Sequence, residues 1–93
     1  MVAQGEGTFN LYPNPNSGDQ LFISLNNISA DVSTISVDIY DLTGKSMSKR
    51  TIAVQDGYIN TAMDLKGSLS SGIYMVNITV GEKTYTERLV IQK

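Results

Sequence analysis

The sequence has 93 residues, which is enough for one domain with one hydrophobic core. Hydrophobic residues make up 41% and charged residues 17%, a composition that excludes a disordered chain. The net charge is −2, and the chain has only seven Lys and Arg residues, so no surface could neutralise a run of phosphates and we expect no nucleic-acid partner.

The first eight residues predict a segment separate from the domain. Met1–Gly7 lacks the basic and apolar regions of a secretory signal peptide. No apolar run anywhere in the chain approaches the roughly 20 residues that span a bilayer. Because the stretch contains Gly, Gln and Glu, we interpret residues 1–8 as a linker remnant or expression start and residues 9–93 as the domain. On this interpretation the chain is the end of a longer protein.

The first two predicted strands flank a proline-rich loop. Thr8–Tyr12 is a short apolar strand that ends at Pro13-Asn14-Pro15-Asn16-Ser17-Gly18. Its two prolines lack an N–H, and each biases the preceding residue toward extended backbone. We therefore predict a rigid, extended loop, closed by a turn at Gly18, that takes no part in sheet pairing. Gln20–Leu25 follows as a strand whose one face carries Leu21, Ile23 and Leu25.

The middle of the chain predicts three more strands. Apolar residues occupy every second position of Ile35–Tyr40. This alternation directs three side chains into the core: Ile35, Val37 and Ile39. Asp41–Gly44 predicts a type I turn followed by a left-handed glycine. Lys45–Ala53 returns as a more polar strand near a sheet edge. After a further turn Tyr58–Asp64 is a strand, and a single helical turn near Asp64–Leu69 is a possible addition.

Two strand patterns at the end of the sequence flank a two-residue break at Gly81-Glu82. Glycine in the first loop position supplies the positive φ of a type II′ turn, so Leu69–Lys93 predicts a tight antiparallel hairpin. In the first arm every second residue is apolar or aromatic: Tyr74, Val76, Ile78 and Val80. The second arm has Glu87 as its polar member, and its other members are Tyr85, Leu89 and Ile91. We expect Leu89 and Ile91 in the core, with Lys93 at its rim.

Together these signals give about seven short strands with turns at intervals of about 8–12 residues. That pattern is typical of an all-β, antiparallel, immunoglobulin-like β-sandwich. The Cys and Trp residues that mark true immunoglobulin domains are missing, because the chain contains neither residue type. No stretch sustains a 3.6-residue period, so we predict no long helix.

The sequence offers little chemistry. It has no His and no Cys, which removes the commonest general base, the thiol nucleophile and the best transition-metal ligands. A nucleophilic Ser would have only Lys or a carboxylate as its base. No calcium-binding loop spacing is matched by Asp38, Asp41, Asp56 and Asp64. We therefore predict that the protein is not an enzyme and has no catalytic residue, no metal site and no cofactor.

Three separated motifs carry a family resemblance. They are Leu11-Tyr12-Pro13-Asn14-Pro15 with Gly18 shortly after, Leu69-Ser70-Ser71-Gly72-Ile73-Tyr74-Met75-Val76, and Arg88-Leu89-Val90-Ile91-Gln92-Lys93. Between the first two lies Val37-Asp38-Ile39-Tyr40-Asp41-Leu42-Thr43-Gly44-Lys45. In this order and spacing, from about Phe9 to Lys93, the chain resembles the carboxy-terminal sorting domain of type IX secretion system cargo proteins from Bacteroidetes.

The resemblance implies a non-catalytic β-sandwich fused to a larger cargo protein. The cargo would be in the periplasm in transit, cross the outer membrane, and then be secreted or held at the cell surface. The implied partners are the outer-membrane machinery of type IX secretion and a sortase-like peptidase, with cleavage in or before Met1–Thr8. A terminal strand could also add main-chain pairing to the edge of a partner's sheet.

The resemblance also assigns partner recognition to the motif residues, which are Pro13, Asn14, Pro15, Gly18, Leu69, Ser70, Gly72, Tyr74, Arg88, Leu89, Ile91 and Lys93. The family's last strand often carries additional Lys before its apolar pair, where this chain has Thr86, Glu87 and Arg88. A contact that needs positive charge there would rest on Arg88 alone. Because exposed charges add little stability, Arg88 and Lys93 are the positions we expect to be purely functional.

Structural explanations of the same motif residues stay open. Ending the first strand could be the whole role of Pro13 and Pro15. Gly72 could be needed for a bulge or a turn. The core alternation accounts for Tyr74, Leu89 and Ile91.

Two other functions fit the same sequence. A carbohydrate-binding or adhesive module of fibronectin-like shape would need exposed, coplanar rings, for which the candidates are Tyr12, Tyr40, Tyr58, Tyr74 and Tyr85. A structural spacer beside a catalytic domain would need no recognition surface.

Overall fold

The computed structural model describes residues 9–93. Its strands are β1 (Phe9–Tyr12), β2 (Gln20–Leu25), β3 (Thr34–Asp41), β4 (Ser46–Ala53), β5 (Ile59–Asp64), β6 (Gly72–Val80) and β7 (Lys83–Ile91). They form two antiparallel sheets with the orders β1-β2-β5 and β4-β3-β6-β7. The predicted β-sandwich is confirmed, and β4 lies at a sheet edge as its polar sequence indicated. Thr8 and the interpretation of residues 1–8 as a linker lie outside the described residues.

The core lies between the two sheets and follows the predicted alternation. Eight inward side chains of β2, β3 and β6 are each at most 2% exposed: Leu21, Ile23, Leu25, Ile35, Val37, Ile39, Val76 and Ile78. Burying one such side chain contributes about 1.5–3 kcal/mol, so this double layer is the main source of stability. The period of two fixes which residues belong to it, because a one-residue slip would turn each strand inside out.

The hairpin of β6 and β7 has the predicted geometry. Val80 pairs with Lys83 across the two-residue loop. Gly81 has φ +61° and Glu82 has no positive φ, which is the pattern of a type II′ turn. In β7, Leu89 is 0% and Ile91 is 2% exposed, so their prediction as core residues is confirmed.

The segment between β5 and β6 differs from its prediction. No helical turn forms near Asp64–Leu69. Lys66 and Gly67 both have positive φ, +55° and +66°, which a right-handed helix does not allow. They form a tight turn in which the N–H of Ser68 donates to the carbonyl of Leu65 over 3.0 Å.

The turn between β3 and β4 is organised by the carboxylate of Asp41. Its Oδ1 accepts hydrogen bonds from the hydroxyl of Thr43 at 2.6 Å and from the N–H groups of Thr43 and Lys45 at 2.9 Å each. The Thr43 hydroxyl, followed by the Lys45 N–H, holds the pKa of this carboxyl below its ordinary value of 3.8. Gly44 closes the turn with φ +90°, as predicted.

We expect Asp41 to make stability depend on pH in the acid range. Because the folded state lowers the pKa, the contribution is complete above the unfolded pKa of 3.8 and is lost as the pH falls through the lower folded pKa. Asp41→Asn keeps an acceptor oxygen but has no charge to lose. Thermal melting of both proteins should show the wild type more stable above the unfolded pKa and the difference closing as the pH falls through the lower, folded pKa. A difference that is constant with pH would contradict this assignment.

Candidate recognition site

The proline-rich loop lies against the outer edge of β7. The side-chain amide of Asn14 takes the place of a neighbouring strand's peptide group: its Nδ2 donates to the carbonyl of Arg88 at 2.8 Å, and its Oδ1 accepts from the N–H of Val90 at 3.0 Å. Two residues on, the N–H of Asn16 donates to the carbonyl of Val90 at 2.7 Å. The carbonyl of Asn16 accepts from the N–H of Gln92 at 2.8 Å.

This contact corrects the prediction that the loop takes no part in pairing. Asn16 forms a parallel bridge with Ile91. Both prolines are exposed and have cis peptide bonds before them, and neither blocks this pairing because Asn16 supplies the N–H and the carbonyl. The two prolines lack donors, as their sequence indicates, but the asparagine that follows them supplies both backbone groups of the pairing.

Asn16 also holds the loop itself together. Its side chain is 1% exposed. Its Nδ2 donates to the carbonyls of Pro13 at 3.1 Å and Gln20 at 2.8 Å, while its Oδ1 accepts from the N–H of Gly18 at 2.7 Å. The loop is therefore curled around one buried amide and is not the extended segment that was predicted. A buried amide keeps its place at little cost only when its donors and acceptor are all paired, as they are here.

The second motif forms a corner before β6. The hydroxyl of Tyr74 donates to the carbonyl of Ser70 at 2.7 Å, and Tyr74 is 5% exposed. A tyrosine near the start of this strand that bonds back a few residues upstream is a known feature of sandwich folds, the tyrosine corner. Leu69 is 1% exposed in the core beneath it. A Cβ at Gly72 would have no atom within 4 Å, so close packing does not explain the glycine.

Lys93 joins the other two motifs. Its backbone N–H donates to Oγ of Ser71 at 3.1 Å, and its ammonium donates to the carbonyl of Gly67 at 3.0 Å. The expectation that Lys93 is purely functional is therefore incomplete, because its charge also has a structural partner. The N–H of Gly67 in turn donates to the carbonyl of Gly18 at 3.0 Å, which links the corner to the proline-rich loop.

Gly18 is required by its backbone conformation. Its φ is +92°, and a Cβ there would lie 2.8 Å from Cε of Lys93. We expect Gly18→Ala to lower the free energy of unfolding by roughly 1–3 kcal/mol, the cost of a side chain in this region.

Gly44→Ala is the matched control for this prediction. Gly44 has φ +90° and no atom within 4 Å of a Cβ. The flexible Lys93 side chain can move away from the new methyl group at the cost of its exposed hydrogen bond to Gly67. The free energies of unfolding of the two variants, measured in urea, should therefore differ by about 1 kcal/mol or less. A far larger loss in Gly18→Ala would mean that the stem is fixed.

The three motifs thus meet at one end of the sandwich. We call this region the motif end: Pro13–Gly18, Leu65–Gly72 and Arg88–Lys93. Its buried predicted residues are Gly18, Leu69, Leu89 and Ile91, and Tyr74 is buried two residues beyond it. Its exposed ones are Pro13, Asn14, Pro15, Ser70, Gly72, Arg88 and Lys93. The buried residues shape this end, and only the exposed ones are accessible to a partner of the folded domain.

The outer edge of β7 is open over only part of its length. The β6–β7 register points the backbone groups of Thr84, Thr86, Arg88 and Val90 away from β6. The loop occupies the carbonyl of Arg88 and both groups of Val90. No hydrogen bond is found within residues 9–93 for the backbone N–H of Thr84 or Thr86. A partner strand added along all of β7 would therefore collide with the loop.

The tyrosines do not form one platform. Tyr74 is buried, and Tyr85 is half-buried with its ring centroid 6.2 Å from that of Phe9. Tyr12 is 44% exposed and stacks on Phe22 in the smaller sheet, with ring centroids 5.4 Å apart. Tyr40 lies in the larger sheet. Rings divided between two sheets do not provide the coplanar surface that sugar stacking requires.

These observations define a small β-sandwich module whose motifs hold one end together. In the part of the chain that the structure describes, no three His, Cys, Asp or Glu side chains cluster to hold a metal ion. None of its elements is a helix with the length and hydrophobicity to span a membrane.

Comparison with protein-family models identifies the module. The model described as "Secretion system C-terminal sorting domain" matches residues 10–92, so the chain belongs to this family of Por secretion system sorting domains. It is a non-catalytic signal domain of type IX secretion. Such a domain implies fusion to a cargo and recognition by the secretion machinery, and the cargo proteins are secreted or attached to the cell surface.

Comparisons with curated sequences and with solved structures add one result, which concerns the fold. No curated protein sequence matches the chain. Among solved structures, the β-glucosidase from Listeria innocua in complex with isofagomine has a similar region, with a TM-score of 0.53 and 17% identity. The match covers 92% of this chain and 16% of that chain. At this identity the similarity shows the sandwich fold alone.

Proposed function

We propose that the domain carries its cargo from the periplasm across the outer membrane by presenting the motif end to the type IX machinery. The observation that supports this most is the convergence of the three family motifs, which are far apart in sequence. Asn14 bonds to β7 across 74 positions, and Lys93 bonds to Gly67 across 26.

A folded end is a suitable signal for physical reasons. A receptor that accepts unrelated cargoes must read a constant surface, and a surface fixed before binding loses little conformational entropy on contact. The hydrogen bonds of Asn14, Asn16 and Lys93 fix the motif end in this way. The buried motif residues contribute by maintaining its shape.

We further propose that a sortase-like peptidase removes the domain by cleavage in or before Met1–Thr8. The sequence of this stretch is rich in small and polar residues, a composition typical of the segments that proteases cleave. β1 begins at Phe9, so cleavage there would leave all seven strands with the sorting domain.

A fusion experiment tests the proposal. The full chain is placed after a periplasmic reporter in a type IX host, and the reporter is measured in the periplasm, on the surface and in the medium. We expect export with the intact chain and retention when Leu89–Lys93 is deleted. Unchanged export after this deletion would contradict the proposal.

A third fusion separates a signal from a spacer. It carries an unrelated β-sandwich of similar size in place of residues 9–93, and we expect its reporter to remain in the periplasm. Export of this fusion at the level of the intact chain would show that the domain is only a structural spacer.

A further inference from the structure

The outer face of the larger sheet has a polar half and an apolar half. Near the hairpin loop, the cross-strand neighbours are Ser36, Asp38, Asn77, Thr79, Thr84 and Thr86. Toward the motif end they are Tyr40, Ile73, Met75 and Val90. We call these last four residues the outer patch. Ile73 is 41% exposed and the others are half-buried, while Leu42, 67% exposed, follows β3 directly.

Arg88 borders the outer patch. It pairs with Met75 across the β6–β7 register, so both side chains lie on the same face. Its side chain is exposed, and within residues 9–93 its guanidinium has neither an ion pair nor a hydrogen bond. A guanidinium is a planar fork of donors that suits bidentate contact with a carboxylate. The patch thus offers apolar area beside one unused cation.

The motif residues themselves have few groups left for a partner. The amides of Asn14 and Asn16, the hydroxyl of Tyr74 and the ammonium of Lys93 are all bonded inside the domain. The loop that contains Asn14 lies beside β7 in the place of a further strand, and so it extends the sheet next to the outer patch. The motifs build this end of the domain, whereas the patch and Arg88 stay accessible.

We propose that the outer patch and Arg88 are the surface through which a protein of the secretion machinery holds this domain. The proposal rests on the proposed function above. The partner would place apolar side chains over Ile73 and Val90 and a carboxylate against Arg88. A protein fits better than an anionic membrane, because the patch has one cation and the chain has a net charge of −2.

The test uses the reporter fusion with the full chain and exchanges side chains of similar shape. Ile73→Thr with Val90→Thr keeps β-branched residues in both strands but adds hydroxyls to the patch. The matched control is the opposite exchange on the polar half, Thr79→Val with Thr51→Val, because Thr51 of β4 pairs with Ser36 and so lies on the same face. Arg88→Glu reverses the charge at an exposed position. Each purified chain is melted to confirm folding.

We expect the patch variant and Arg88→Glu each to lower exported reporter about tenfold or more, the effect of roughly 1.4 kcal/mol of lost binding. The control variant should export like the wild type, and the folded variants should melt within a few degrees of it. Normal export of both the folded patch variant and Arg88→Glu would overturn the inference while leaving the proposed function intact.

The remaining outcomes are also decisive. If the patch variant fails to fold, Arg88→Glu alone decides, and its normal export would overturn the inference. Loss of export in the control variant would do the same, as would Arg88-dependent sedimentation of the purified chain with phosphatidylglycerol vesicles. Failure of the unmodified chain to export the reporter would overturn the proposed function itself.

Discussion

Asn16→Ala should lower the free energy of unfolding by about 2–4 kcal/mol, because it leaves three loop groups without partners. Those groups are the carbonyls of Pro13 and Gln20 and the N–H of Gly18. A domain of this size has a total stability on the order of 5–14 kcal/mol, so the loss is a substantial share of it. Urea unfolding followed by circular dichroism measures the change.

Two asparagines serve as controls for this prediction. Asn14→Ala removes two exposed hydrogen bonds to β7 and should cost about 1 kcal/mol. Asn60 is exposed on β5, so Asn60→Ala should cost less than about 0.5 kcal/mol. Equal losses in all three variants would show that the buried amide of Asn16 has no special role in the loop.

Leu89→Ala should be the most damaging single truncation in the last strand. Leu89 is 0% exposed, and its removal leaves a cavity between the sheets. Leucine truncations in closely packed cores cost about 3–5 kcal/mol, which leaves this domain near the limit of folding at 37 °C. We expect a large drop in the urea midpoint and, in the reporter fusion, loss of export through loss of the fold.

Leu42→Ala is the control of identical chemistry. Leu42 is 67% exposed in the turn after β3, so the same truncation leaves no cavity and should change stability by about 0.5 kcal/mol or less. A loss in Leu89→Ala as small as that in Leu42→Ala would contradict the packing of β7 in the core.

The strands and the core could be predicted from the sequence because their signal is local. A period of two in Ile35–Tyr40 or Tyr74–Val80 decides which side chains are buried, whatever lies opposite. The turns at Asp41–Gly44 and Gly81-Glu82 were predictable for the same reason, since glycine is needed where φ is positive.

The organisation of the motif end could not be predicted in this way. Asn16 lies inside the proline-rich motif but is not one of the residues that carry the family resemblance. Its partners Val90 and Gln92 are far away in sequence. No local preference encodes such a pairing. The outer patch depends on the registers of β3, β6 and β7 together, which sequence alternation alone does not supply. The same limit applies to Lys93, whose contact with Gly67 was not foreseen.

Amide hydrogen exchange along β7 tests most directly whether the proline-rich loop and the last strand form one structure. The N–H groups of Val90 and Gln92 face the open edge of the sheet but donate to Asn14 and Asn16, so we predict slow exchange for both. The N–H of Thr86 faces the same edge without a partner in the described chain and should exchange rapidly. Exchange at Val90 and Gln92 as rapid as at Thr86 would contradict the docking of the loop, and with it the motif end.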